Sequence, residues 1–158
     1  MARLIPYYLP LTERETQYVT TSRPKNAVRE NMNQLRPYED NPVEKMDHLQ
    51  IEDTMSGTES AHEAIQKYTN RIGENHNYIV DTLSKLGEQD EFQKTVRNIE
   101  TQTRRENALT YLYFAQSDIT QMNRQEKEAL HTLDGVFDVQ IERTGDTINT
   151  RLHLYRLM

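Results

Sequence analysis

The sequence predicts a mainly α protein: a long antiparallel helical hairpin with short N-terminal helices, an extended N-terminal arm and a C-terminal β-hairpin. Three observations predict it. Ile65, Ile72, Ile79 and Leu86 recur every seven residues behind a capping-box pattern at Ser60–Glu63. A second apolar series runs from Phe92 through Val96, Ile99, Ala108, Leu112, Ala115, Ile119, Met122 and Ala129 to Leu133. After Gly135 the period changes to alternation, in Val139 and Ile141 and again in Ile148, Thr150, Leu152 and Leu154.

Taken in order, residues 1–23 read as an extended arm. Pro6 and Pro10 fix φ and remove backbone donors, so the stretch IPYYLP is extended rather than helical. Its tyrosines suit docking in a groove, because they present large area at low rotamer entropy. Residues 24–57 read as short helices and a linker. Pro24 sits in a first turn, with Ala27, Val28, Met32 and Leu35 on one side. Pro37 stops that helix, and Asn41-Pro42-Val43-Glu44 starts another that runs to Glu52.

Residues 58–134 read as the hairpin body. The first helix tolerates Gly73, at a cost of roughly 1 kcal/mol relative to Ala, and ends at Gly87. LGEQDE is the connector, and Asp90–Gln93 is a second capping-box pattern opening a helix to about Thr132. The stretch NALTYLYFAQSDI widens the apolar stripe beyond what one partner helix covers. Residues 135–158 read as a β-hairpin turning at Arg143-Thr144-Gly145-Asp146.

Composition narrows the chemistry. The 158 residues include no cysteine, which removes disulfides, thiolate nucleophiles and Cys-based zinc sites. No apolar run is long enough for a membrane-spanning helix, and Arg3-Leu4-Ile5-Pro6 lacks the layout of a secretory signal. The expected location is therefore soluble, intracellular or within a virion. Leu, Ile, Val and Phe make up about a fifth of the chain, near the level below which chains remain disordered. Net charge is −6, unevenly spread: residues 1–36 carry six basic and three acidic residues, residues 37–64 eight acids and Lys45 alone.

Catalytic motifs are missing. His62-Glu63 opens like the zinc-protease helix motif, but Gln66 stands where the second histidine belongs. His131 and Asp134 are close in sequence, with no nucleophile beside them. The five glycines, at 57, 73, 87, 135 and 145, build no phosphate-binding loop. The expectations are no enzyme, no cofactor and no metal. The expected function is a structural subunit of a large assembly, such as a bacteriophage head, connector or tail component. The alternative is a helical adaptor or nucleic-acid-associated regulator binding through the 108–122 face. Expected partner-binding residues are Ile5, Tyr7, Tyr8, Leu9, Tyr111, Tyr113, Phe114, Leu152 and Leu154, and the partners are other copies or other subunits. Nucleic acid is the lesser partner, through the basic arm with its stacking tyrosines, and no membrane is involved.

Overall fold

A computed structural model describes residues 14–34, 47–83, 89–114, 122–144 and 147–155. Contacts divide the chain into two units, Met1–Phe114 and Ala115–Met158.

The first unit is a parallel α/β fold, which overturns the helical-hairpin expectation. Its strands are β1 (Thr16–Thr20), β2 (Leu49–Asp53), β3 (Asn77–Asp81) and β4 (Leu109–Tyr113), in spatial order β2-β1-β3-β4 and all parallel. Helices α1 (Lys25–Asn33), α2 (Ala61–Thr69) and α3 (Gln89–Arg105) make the crossovers. β1 is buried at every position, so TQYVT, expected within the arm, is a central strand. Val19, Tyr78, Ile79 and Val80 are completely inaccessible. Strands covered on both faces read as continuous apolar runs instead of alternating, which hides them from a search for period two.

Register places Tyr18, Ile51, Ile79 and Tyr111 side by side on one face. Val28 and Met32 of α1 pack against that row. The helix therefore lies where its apolar spacing predicts, starting at Lys25 with Pro24 as its N-cap. The other face carries Val19, Tyr78, Val80 and Thr110. Tyr78 and Thr69 of α2 join their hydroxyls at 3.2 Å, and Thr103 of α3 meets Thr110 at 2.6 Å.

The two long helices are each cut short by identifiable turns. The capping box at Ser60 forms: its hydroxyl accepts the Glu63 N–H and the Glu63 carboxylate accepts the Ser60 N–H. Yet α2 stops at Thr69, and Asn75 takes a left-handed φ of 58° just before β3. Gly73 precedes it where space is short, since a Cβ there would stand 2.9 Å from His76 Nε2. Similarly, α3 ends at Arg105, and Asn107 turns left-handed at φ 49°. Ala108 N–H then donates back to the Thr103 carbonyl at 2.9 Å, the bond of a Schellman cap. The two asparagines are clasped together, Asn107 Nδ2 donating to Asn75 Oδ1 at 3.0 Å. Asparagine is the residue besides glycine that enters this region readily, so stops sought at glycine were missed.

The proposed 108–122 helix face is likewise corrected: LTYLY is β4. The expected helix from Asn41 to Glu52 is replaced at its end by β2, and its start lies outside the described residues, as do IPYYLP and the first half of LGEQDE, whose second half already belongs to α3.

The second unit holds α4 (Arg124–Leu130) and the antiparallel pair β5 (Val136–Thr144) and β6 (Thr147–Tyr155). Asn123 and Glu126 cap α4 reciprocally at 2.9 Å each way. The β5–β6 register pairs Val139 with Leu152 and Phe137 with Leu154. Among the described residues no helix is long and apolar enough to cross a membrane.

Candidate functional site

Open parallel sheets bind ligands beyond the carboxyl ends of their strands, where the strand order reverses. Here the chain leaves β1 toward β2 on one side and returns to β3 on the other, so that point lies between β1 and β3. Four segments meet at this end of the sheet: Thr20–Arg23, Asp53–Ser56, Asp81–Leu83 and Tyr113–Phe114.

Asp81 closes β3. Its Oδ2 accepts the Tyr18 hydroxyl at 2.5 Å and its Oδ1 accepts the Thr82 hydroxyl at 2.7 Å. The strand ends are fastened beyond the ladder by Thr21. Its N–H donates to the Asp81 carbonyl at 2.6 Å, and its hydroxyl donates to the Thr82 carbonyl at 2.6 Å. That hydroxyl also accepts the Thr82 N–H at 3.1 Å. The Asp81–Thr82 peptide is cis. Burial, reinforced by the Asp81 charge, pushes the Tyr18 phenol well above its usual range, against a smaller pull from Arg23. Tyr113, the register partner of Asp81 on β4, is raised by burial and by the same carboxylate. Its hydroxyl is buried without a hydrogen-bond partner among the described residues.

Asp53 closes β2 and is 4% exposed. Its Oδ2 accepts the N–H of Lys25, the first residue of α1, at 2.8 Å. Its Oδ1 accepts the N–H groups of Met55 and Ser56 at 2.9 and 2.6 Å. Burial alone would raise this carboxyl, but the hydrogen bonds from Ser56, Lys25 and Met55 outweigh it and hold it below the usual carboxylate range. The positive end of α1, where a phosphate would be cradled in a glycine-loop fold, thus holds a carboxylate of the same chain. The β1–α1 loop, Thr21-Ser22-Arg23-Pro24, contains no glycine. Around it, Lys25 pairs with Glu52 at 3.4 Å and Arg23 is exposed.

The expected binding residues are distributed otherwise. Tyr111, Tyr113 and Phe114 come together on and just after β4, all half-buried, and Phe114 packs edge-on against Phe92 with ring centroids 6.3 Å apart. Leu152 and Leu154 stand on β6, in the other unit. Ile5, Tyr7, Tyr8 and Leu9 lie outside the described residues. Histidines take local roles: His62 bonds Thr95, His76 Nδ1 accepts the Gly73 N–H at 3.1 Å, and His48 pairs with Glu15 at 3.2 Å. His131 is exposed. No group of three metal-ligating side chains occurs among the described residues.

The sequence reading does not single out Thr21, Asp53, Asp81 and Thr82, and it takes Tyr18 only as a stacking tyrosine of the basic arm. Their signal was present in YVTTS, IEDT and YIVDT, three short apolar runs each ending in an acid or threonines. An apolar strand closed by a polar residue is the pattern of a parallel strand delivering a side chain to the sheet's end.

The solved structures agree on this architecture. Among solved structures, 119 chains match. One is the KaiC-like protein PH0186 from the hyperthermophilic archaeon Pyrococcus horikoshii OT3, with a TM-score of 0.69 at 14% identity over 99% of this chain and 73% of that one. The likeness establishes the fold, and with it removes the support for a virion subunit or a helical adaptor, both of which rested on the helical hairpin. No curated protein matches the chain. A family model described as a family of unknown function (DUF7125) matches residues 4–157.

Proposed function

The chain belongs to the family of unknown function DUF7125, and we propose that it is a non-hydrolytic binding module on a KaiC-like scaffold. One observation carries this reading: both carboxylates at the ligand-binding end of the sheet accept hydrogen bonds from their own chain on both oxygens. Asp81 is held by Tyr18 and Thr82, and Asp53 by three backbone N–H groups. A carboxylate that is to hold a metal or activate a water needs lone pairs directed outward. The sequence supplies no glycine-rich cradle for phosphates. The site is a rigid platform, and its partners are other protein chains, copies of this one included. Exposed Met55, at 58%, and Arg23 stand on the rim of that platform.

The test is phosphate release from ATP or GTP with magnesium by the purified chain. The expected rate equals the buffer blank. Release that disappears in Asp81→Asn would overturn the reading. Light-scattering mass across a concentration series checks self-association, and a mass fixed at one chain throughout would remove copies of itself from the partner set.

A further inference from the structure

The turn between α2 and β3 is closed by a histidine. His76 Nδ1 accepts the Gly73 N–H at 3.1 Å, and the His76 N–H donates to the Gly73 carbonyl at 3.3 Å. The ring lies directly over the glycine, where a Cβ would stand 2.9 Å from Nε2 and 3.0 Å from Cε1. Having no side chain, Gly73 leaves this seat open. From the closed turn Asn75, left-handed at φ 58°, reaches the turn that follows α3. Its N–H donates to the Glu106 carbonyl and its Oδ1 accepts Asn107 Nδ2, at 3.0 Å each. The His76 carbonyl itself accepts the Leu109 N–H at 2.9 Å. The ring bond thus closes the turn through which β3 and β4 are fastened at the amino end of the sheet.

An imidazole accepts a hydrogen bond only through a nitrogen that carries no proton. Three histidines among the described residues bond through Nδ1, and two of them donate. His48 meets the Glu15 carboxylate at 3.2 Å, and an ionised carboxylate only accepts. His62 meets the Thr95 hydroxyl, whose own proton goes to the Glu91 carbonyl at 2.8 Å. Both bonds survive a second proton on the ring. The Gly73 bond does not, because a proton on Nδ1 sets two donors against each other. Charges on the surrounding segments balance. α2 and its turn bring Lys67, paired with Glu59 at 3.1 Å, then Arg71 and Glu74. The end of α3 brings Arg104 and Arg105, paired with Glu100 and Glu106 at 3.1 and 2.8 Å. The entrance to β1 brings Arg14 and Glu15. The difference between the two ring states therefore falls on the Gly73 bond.

We propose that His76 is a pH-operated latch: its neutral ring, protonated at Nε2 alone, closes the α2–β3 turn, and a second proton at Nδ1 opens it. Histidine is the side chain whose charge ordinarily changes between about pH 5 and 8. The latch stands at the end of the sheet opposite Asp53 and Asp81, and the inference does not rest on the non-hydrolytic reading.

The experiment is NMR on the isotope-labelled full chain at about pH 8 and at about pH 5. A scalar coupling across the hydrogen bond, from the Gly73 amide to His76 Nδ1, should be present at the higher pH and lost at the lower. Exchange of the Asn75 amide, corrected for its intrinsic pH dependence, should quicken about ten-fold as the ring gains its proton. His76→Asn places a carbonyl oxygen near the position of Nδ1, an acceptor that does not titrate. In that variant the Asn75 amide should be equally protected at both pH values, with His48 and His62 still present. A proton found on Nδ1 at about pH 8 would overturn the proposal, as would the lack of any coupling there. Equal Asn75 protection at both values in the unaltered chain would overturn it as well. So would an undiminished pH response in His76→Asn, which would assign the effect to another group.

Discussion

Tyr18 and Tyr113 stand on either side of Asp81 and differ in one respect. Tyr18 donates to the carboxylate, while the Tyr113 hydroxyl is buried with no partner among the described residues. Tyr18→Phe should cost about 1–2 kcal/mol in urea unfolding, since it takes a hydrogen bond from a charged acceptor. Tyr113→Phe should be neutral or slightly stabilising, because it deletes an unsatisfied polar atom. Titration offers a second check. Burial raises the phenols of Tyr18, Tyr78 and Tyr113, so their ionised forms are favoured by unfolding. Their contribution to stability is complete below the unfolded value near pH 10 and declines as pH rises above it. Of nine tyrosines, at least three should stay un-ionised in the ultraviolet titration until alkaline unfolding. Asp53 has the opposite sign. Its depressed carboxyl contributes stability above the unfolded value, near pH 4, and the contribution is lost as pH falls through the folded one. Asp53→Ala should flatten that acid limb and leave three N–H groups without an acceptor.

At the scale of elements, the caps are the most legible features. Ser60→Ala should destabilise by about 1 kcal/mol, because the capping box is made on both sides. Gly73→Ala drives a methyl into His76, whose ring accepts the Gly73 N–H. It should cost less in a His76→Ala background, and a double-mutant cycle measures the difference. Sequence reading found α1, the start of α2 and the alternation of the C-terminal strands, where a cap, a proline or a period of two marks the element. It lost β3 and β4 for a physical reason. β3, buried at its first four positions, has no alternation, the edge strand β4 reads LTYLY without a clean period of two, and Ile72 and Ile79 chance to stand seven apart across a turn. β-branched and aromatic enrichment in YIV and LTYLY was the usable clue. The site went unread for the same reason, since Asp53 and Asp81 matter only once they end parallel strands.

For the whole molecule, the parallel sheet replaces a rod with a layered α/β unit, and the functional reading moves with it from a helix face to a strand end. The lack of a glycine-rich loop, plain in five scattered glycines, takes on meaning only in this fold, where the Asp53 carboxylate stands at the N-terminus of α1. Expected phosphate release at the blank level is the test at this scale.

The central position of β1 has a consequence for how the protein is made. Its neighbours are β2 and β3, and Thr16 pairs with Asn77, sixty-one residues later. At the usual ~5–20 residues per second of translation, the most buried strand waits about 3–12 s on the ribosome before that neighbour exists. Throughout that interval TQYVT is an exposed, uncharged β-forming pentapeptide, the kind of segment nascent-chain chaperones retain. Biogenesis of this protein should therefore be more sensitive to chaperone supply and to elongation rate than the stability of the finished sheet would suggest.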